Sequence, residues 1–596
     1  MRELLSGNEA IAIGALEAGA NFVSGYPGTP STEVIETLQR LVGTKIYVER
    51  ATNEKTAFEL ALGASLGGAN AMATMKAPGI LVASDPIVSA AYSGTLGSLV
   101  IYVADDPGPH TTQTEQDSRR FAKLAKLPLI EPADPQEARD YTIKAFELSR
   151  KLEAPVILRS TTRVSHTVGI VEHGEREIKP FKPKRKRMPE RFVRAGMSRN
   201  RERHRRILEV LREYASLIKP LHRIEGSGDD VIFTVGVAYH YVKEALKKLG
   251  IEATIVKLAS SRPLDEEFVK DFRGRKILVV EELDGFVEQE LKAILGPENV
   301  VGKLYVPQIG ELNVDRVVEA IGKYKGLEIP RKIVREKPAI PSRSPPMCPG
   351  CPHRFSYVAI KKAIALSGYK RSEVPIFGDI GCYALSVLKP IEGIDTEHSM
   401  GSSIAMAAGL KLSGYDKPVI ATIGDSTIIH GGLPELIEAY HKRAEIIVVV
   451  LDNRTIAMTG HQETPEREVT ASGRRTKKVK LEEILKPISD HLRVVDPVNE
   501  FEKAIEVMKQ ALKANGLRIV IMRAPCTILA LRRKLIQAKP MKVDPEKCTG
   551  CKACILNTGC PALYRDPENK KAVIDEVYCV GCGLCAKFCP FDAISF

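Results

Sequence analysis

No stretch of this sequence supplies the roughly 18 consecutive apolar residues that a membrane-crossing helix needs, which excludes a helical membrane protein. The opening residues, MRELLSGNEAIAIGALEAGA, lack a basic segment followed by a long apolar one, so no export signal is expected and the chain is predicted to be cytoplasmic. Without an oxidising compartment, its twelve cysteines are not expected to pair as disulfides. Tryptophan is missing altogether, which by itself excludes nothing. What is present, 596 residues that are 44% hydrophobic and 27% charged, is enough to bury several cores, and three to five domains are expected.

The net charge of +13 would suit a nucleic-acid partner if it covered a binding face. It is local instead. From Lys179 to Arg206 there are thirteen Lys or Arg against two acids, with three prolines and few large apolar residues. That composition predicts an exposed, solvated connector, and neither nucleic acid nor membrane is an expected partner.

Along the chain the patterning divides into five segments. Residues 1–170 alternate short apolar strands (AMATM, SLVIYVA, APVILR) with helical stretches, a parallel α/β domain. Residues 171–226 are the basic linker. Residues 227–330 form a smaller α/β unit from VIFTVG, ATIVKL and KILVVEE, and the Pro-rich KPAIPSRSPP follows. Residues 331–535 make a third α/β domain with strands VPIFGDI, PVIATIG, EIIVVVLDN and RIVIMRA, and 536–596 are Cys-rich and short of core.

The third domain carries the first chemical constellation. PVIATIG ends in Gly424, Asp425 and Ser426, a helix runs through LPELIEAYHK, and EIIVVVLDN ends at Asn453. In this βαβ unit the carboxyl ends of both strands reach one edge of the sheet, the edge at which open α/β sheets bind ligands. A carboxylate from Asp425 and an amide oxygen from Asn453, with the Thr455 carbonyl, suit a hard Mg²⁺ that also takes diphosphate oxygens. The segment resembles the GDG…N motif of thiamine-diphosphate (TPP) enzymes. Ser426 departs from the usual glycine, which bears only on the tightness of that turn.

TPP also needs a carboxylate at its pyrimidine ring. GYPGTPSTE (Gly25 to Glu33), followed by NEKTAFELALGAS, resembles the pyrimidine-binding domain of 2-oxoacid:ferredoxin oxidoreductases. By that resemblance Glu54 is the activating acid and Thr29 lies near the substrate. Ala57, Phe58 and Ala61 are expected to bury Glu54 and raise its pKa. Glu49 and Glu59 are the competing carboxylates.

Eight of the cysteines fall in the last 49 residues. Cys548, Cys551 and Cys554 precede Cys560-Pro561, and Cys579, Cys582 and Cys585 precede Cys589-Pro590, the signature of two-cluster bacterial ferredoxins. In such modules the fourth cysteine of each run serves the other cluster. One [4Fe–4S] cluster is therefore expected on Cys548, Cys551, Cys554 and Cys589, the other on Cys579, Cys582, Cys585 and Cys560. The first run places five residues before Cys560 where the pattern has three. Structural zinc is the rival occupant. The remaining four, Cys348 and Cys351 in MCPGCPHR, Cys382 after VPIFGDIG and Cys526 after RIVIMRAP, resemble the cluster-binding cysteines of the diphosphate subunit in pyruvate:ferredoxin oxidoreductases. That implies a third [4Fe–4S] cluster between TPP and the tail.

The whole order resembles the large subunits of the indolepyruvate branch of that family: a pyrimidine domain, a transketolase-C-terminal-like α/β domain, a diphosphate domain and a ferredoxin tail. The resemblance implies an α/β multidomain enzyme with TPP, Mg²⁺ and iron–sulfur clusters. It further implies oxidative decarboxylation of an aryl 2-oxo acid such as indolepyruvate with coenzyme A, a smaller beta subunit in an α2β2 assembly, and ferredoxin as acceptor. Pyruvate or branched-chain 2-oxo acids, a non-oxidative TPP decarboxylase, and an electron-transfer scaffold without TPP are the other readings.

Overall fold

The computed structural model describes residues 1–175, 178, 181–184, 187–193, 199–329 and 344–596. Parts of the basic linker and most of KPAIPSRSPP, including the expected boundary at 330/331, lie outside the described residues. The chain divides into two compact units, Met1–Glu336 with Thr470–Arg474, and Lys337–Val469 with Arg475–Phe596. No described helix is long and apolar enough to cross a membrane.

Among the described residues the first unit holds two larger sheets and a two-stranded antiparallel one, Arg2–Ser6 with Val168–Glu172. One has six parallel strands in the order Tyr47–Arg50, Phe22–Gly25, Asn70–Lys76, Ser98–Asp105, Val156–Thr161 and Leu129–Ile130. Its central strands, NAMATMK and SLVIYVAD, are almost entirely buried because helices cover both faces, and so they read as continuous apolar runs. Gly7–Glu17, Thr32–Val42 and Pro135–Leu152 pack on one face. Glu54–Leu66, Ser84–Ser93 and Ser118–Ala125 pack on the other. The second sheet runs Val300–Val301, Ile277–Val280, Val231–Val235, Thr254–Leu258 and Arg223–Glu225, parallel except for the last strand.

The expected exposed linker 171–226 is corrected in its second half. Residues Asn200–Ile218 form a helix of 19 residues whose Ile207, Leu211, Tyr214 and Ile218 are buried, with Tyr214 and Ile218 in the core of the six-stranded domain. Their spacing is one stripe of an amphipathic helix. Burying each such side chain contributes roughly 1.5–3 kcal/mol. Arg203 is buried on the same stripe, while Arg201, Arg205 and Arg212 are exposed and conceal the stripe in a charge count.

The second unit contains a parallel five-stranded sheet, ordered Ile376–Phe377, Ile420–Gly424, Ile447–Asp452, Arg518–Arg523 and His491–Val495. The edge strand HLRVV was not among the predicted ones; its residues are mostly exposed, and two of its five are polar. The Cys-rich tail is built on two short antiparallel pairs, Lys542–Val543 with Ile594–Ser595 and Leu563–Arg565 with Ala572–Ile574. Its small buried core is Met541, Cys554, Leu563, Ala572 and Ile594, with further cysteines packed half-buried against it.

Candidate cofactor and cluster sites

Strands Ile420–Gly424 and Ile447–Asp452 pair in parallel with Gly424 opposite Leu451, so Asp425 and Asn453 emerge at one sheet edge as expected. One Asp425 oxygen accepts the Ser426 N–H at 2.8 Å, while Oδ2 is buried with no partner. Burial, then the charges of Asp452 and Glu466, hold this carboxyl well above the usual range. Ligand atoms of Asp425, Asp452 and Glu466 lie within 4.8 Å of one another. Asp452 is paired with Arg523, but Glu466 also keeps an unpartnered buried oxygen and is pushed up to about 7, by burial first and then Asp452. Orphaned, crowded carboxylate oxygens are what a divalent hard cation would satisfy, so the residues fit Mg²⁺. Asp452 and Glu466 escaped the sequence reading.

Asn453 is fixed from both sides. Its Nδ2 donates to His353 Nε2 at 3.0 Å, and its Oδ1 accepts the Thr455 N–H at 3.2 Å. Burial holds His353 down to about 4, so the ring is neutral and can accept that bond. A second Gly-Asp, Gly378-Asp379, also ends a strand of this sheet. Asp379 is buried and pushed up to about 7, accepts from Tyr383 Oη, and takes the Gly401 N–H at 2.8 Å. Tyr383 in turn accepts the Gly424 N–H at 3.1 Å, so this pair props the turn that presents Asp425. The repeated strand-Gly-Asp pattern was the signal that could have revealed it.

In the first unit Glu54 opens the helix Glu54–Leu66, capped by Asn53 Oδ1 accepting the Thr56 N–H at 2.8 Å. Burial raises its carboxyl to about 7, against the pull of Lys76. A Cβ at Gly79 would stand 2.7 Å from Glu54 Oε1, so only glycine admits the acid there. The rival carboxylates have other employment. Glu49 accepts from Thr470 and Ser472, and Glu59 pairs with Lys55 at 2.6 Å on the surface. The Thr29 carbonyl accepts from Thr111 Oγ1 at 3.1 Å, in a loop anchored by Asp106, which takes the N–H groups of His110, Thr111 and Thr112. Lys76 and Asp106 were not foreseen.

All twelve cysteines are free thiols. Cys548, Cys551, Cys554 and Cys589 line one cavity; Cys560, Cys579, Cys582 and Cys585 line another. The expected crossed grouping is thus the spatial one, with Cys560 in place despite the longer spacing before it. Backbone N–H groups of Ala572, Ala593 and Met541 point at Cys548, Cys589 and Cys579 sulfurs at 3.4, 3.2 and 3.4 Å. Such bonds support charge on sulfur. Cys348, Cys351, Cys382 and Cys526 form a third set. Cys382 is pushed up to about 12 by burial and by the Cys351, Cys526 and Cys348 sulfurs. A single tetrahedral zinc would hold four sulfurs roughly 3.8 Å apart. Among the described residues no cysteine trio brings its sulfurs within 4.8 Å of one another.

The chain resembles known proteins throughout. Residues 13–222 match the family described as pyruvate flavodoxin/ferredoxin oxidoreductase, thiamine diP-binding; 379–522 match the C-terminal TPP-binding domain of thiamine pyrophosphate enzymes; and 572–595 match a 4Fe-4S binding domain. It is 42% identical to the indolepyruvate oxidoreductase subunit IorA of Archaeoglobus fulgidus, over 99% of this chain and 97% of that one. The chain belongs to the TPP-dependent 2-oxoacid:ferredoxin oxidoreductase family. The subunits of the same name from Pyrococcus abyssi and Methanothermobacter marburgensis are 41% and 37% identical, covering 99% and 100% of this chain and 96% and 97% of theirs. As a member of that family this oxidoreductase uses TPP and iron–sulfur clusters.

Within it the cofactor edge and the third thiol set are contiguous. Asn453, whose side chain bonds His353 two residues after Cys351, also accepts the Cys526 N–H on its carbonyl at 3.2 Å. One residue at this sheet edge is therefore hydrogen-bonded to two of the cysteine-bearing loops.

Proposed function

We propose that this chain is the large subunit of a cytoplasmic α2β2 enzyme that oxidatively decarboxylates aryl 2-oxo acids, indolepyruvate first among them. Coenzyme A takes the acyl group, CO₂ leaves, and two electrons pass singly through iron–sulfur clusters to ferredoxin. The observation that carries the reading is the double bonding of Asn453 to the His353 and Cys526 loops, which sets the cofactor edge beside a thiol set suited to take electrons. The substrate rests on the relatives' name.

Bound TPP supplies the nucleophilic carbon that attacks the 2-oxo group and holds the electrons left by decarboxylation. The chain's residues prepare that chemistry. Asp425, Asn453 and the Thr455 carbonyl would hold Mg²⁺ for the diphosphate, with Gly424 and Ser426 forming the turn beneath it. Glu54, with its raised pKa, retains a proton for the pyrimidine N1′. Thr29 lies beside the loop that Asp106 holds and would border the substrate. Cys348, Cys351, Cys382 and Cys526 would hold the first cluster of the relay and the tail the other two.

Comparing kcat/KM for indolepyruvate, phenylpyruvate, pyruvate and 2-oxoglutarate, with coenzyme A and ferredoxin present, tests the substrate. Aryl acids should lead; a clear preference for pyruvate would refute the aryl assignment. The cluster count has its own measurement. Three clusters give about 12 Fe per chain and two about 8, and Cys526→Ala should lose one cluster's iron and ferredoxin reduction while retaining TPP. A fully active Cys526→Ala protein with wild-type iron near 8 would remove the third cluster from the scheme.

A further inference from the structure

Arg354, three residues beyond Cys351, is only 2% exposed, and the groups around its guanidinium are backbone carbonyls and sulfur. Nη1 donates to the Thr558 and Gly559 carbonyls, both at 2.7 Å, and Nη2 donates to the Met347 carbonyl. Nε is buried without a partner. Among the described residues no carboxylate pairs with it. Burial pushes its pKa down, and the neighbours that oppose this when ionised are the sulfurs of Cys560, Cys351, Cys582 and Cys348. With Pro349 and Gly350 it lines the cavity of Cys560, Cys579, Cys582 and Cys585. A Cβ on Gly350 would meet Val580 at 2.5 Å and Cys582 Cβ at 3.6 Å, so the CPGC loop presses on the second set with no side chain between.

A guanidinium stays charged in proteins, and burying it uncompensated costs several kcal/mol. Three carbonyls solvate this one but do not neutralise it. The counter-charge available is the sulfur of the two flanking sets, and a thiolate-bound cluster gains one further negative charge on reduction. The carbonyl partners explain the departure from ferredoxin spacing. The lengthened run between Cys554 and Cys560 ends a short helix, Ala553–Thr558, whose last carbonyl and that of Gly559 face Arg354.

We infer that Arg354 is a positioning residue for electron transfer, a single buried cation that clamps the tail onto the CPGC loop and serves as shared counter-charge to the cluster sites on either side, favouring their reduced states. The inference rests on the reading of Cys348, Cys351, Cys382 and Cys526 as cluster ligands for one of its two sides.

The test is an EPR-monitored redox titration of the full anaerobic enzyme, with iron analysis, for wild type, Arg354→Met and Arg354→Lys. At a fixed solution potential the reduced-to-oxidised ratio of the Cys560 cluster should fall about tenfold in Arg354→Met, equal to about 59 mV for one electron. The cluster on the CPGC side should move the same way. Arg354→Lys, which keeps the charge without the planar fork, should restore most of the ratio. Wild-type iron near 12 with unmoved potentials in Arg354→Met would overturn the role of Arg354 alone. Wild-type iron near 8 would overturn the cluster reading and the sharing with it. Should Arg354→Met lose iron, Arg354→Lys carries the test: a reduced-to-oxidised ratio of the Cys560 cluster that falls about tenfold there, although the charge is kept, overturns the inference.

Discussion

Replacing Asp425 with alanine should strip the enzyme of TPP and of all 2-oxo acid oxidation while leaving its iron in place. Asp425 presents a buried oxygen with no protein partner beside two further carboxylates, so in this fold its charge has no compensation except a cation. Loss of an outer-shell partner alone typically costs 10–100-fold in metal affinity, and loss of a direct ligand should cost at least about 10²-fold. The measurement is retained TPP after gel filtration, together with the thermal shift on adding Mg²⁺ and TPP. That shift should vanish. The cofactor-free variant should melt no lower than the cofactor-free wild type, because the substitution removes a carboxylate crowded by Asp452 and Glu466. Normal TPP content would move the metal to other ligands.

Glu54→Gln should bind TPP yet exchange the C2 proton at least about 10²-fold more slowly, the usual contribution of a positioned acid or base. Glutamine preserves the shape admitted by Gly79 but cannot pass a proton to N1′. The wild-type carboxyl, raised to about 7 by burial, is protonated below that pH and loses its proton above it. Exchange should therefore decline as pH rises through about 7 in the wild type, and this limb should be missing from Glu54→Gln. Exchange measured by NMR across pH 5–9 decides the point. An unchanged rate would transfer the role to another residue.

The residues that were legible in advance share one property: each carries its chemistry in a local pattern. Asp425 and Asn453 stand at the ends of apolar strands separated by one helix, and strand polarity alone brings such ends to one edge. The tail cysteines announce themselves by spacing. Asn200–Ile218 does not read as a packed helix for the opposite reason, since its four buried apolar residues are diluted by charged ones, one of which, Arg203, is itself buried. Glu466, Lys76 and His353 have no spacing to mark them, and each becomes meaningful through the group it meets.

The sequence by itself determined the fold class, the shared edge of the strands that end at Asp425 and Asn453, and the two spaced cysteine runs of the tail. These follow from periodicity, strand direction and ligand spacing, which act over a few residues to one βαβ unit. Only the tertiary structure decided which charges lack partners. Asp425 keeps an unsatisfied oxygen beside Asp452 and Glu466, Asn453 is steered by a histidine 100 residues away, and Arg354 finds the Thr558 carbonyl 204 residues downstream. Desolvation and Coulomb forces depend on distance through space and on exclusion of water, and neither quantity is written in the order of residues along a chain.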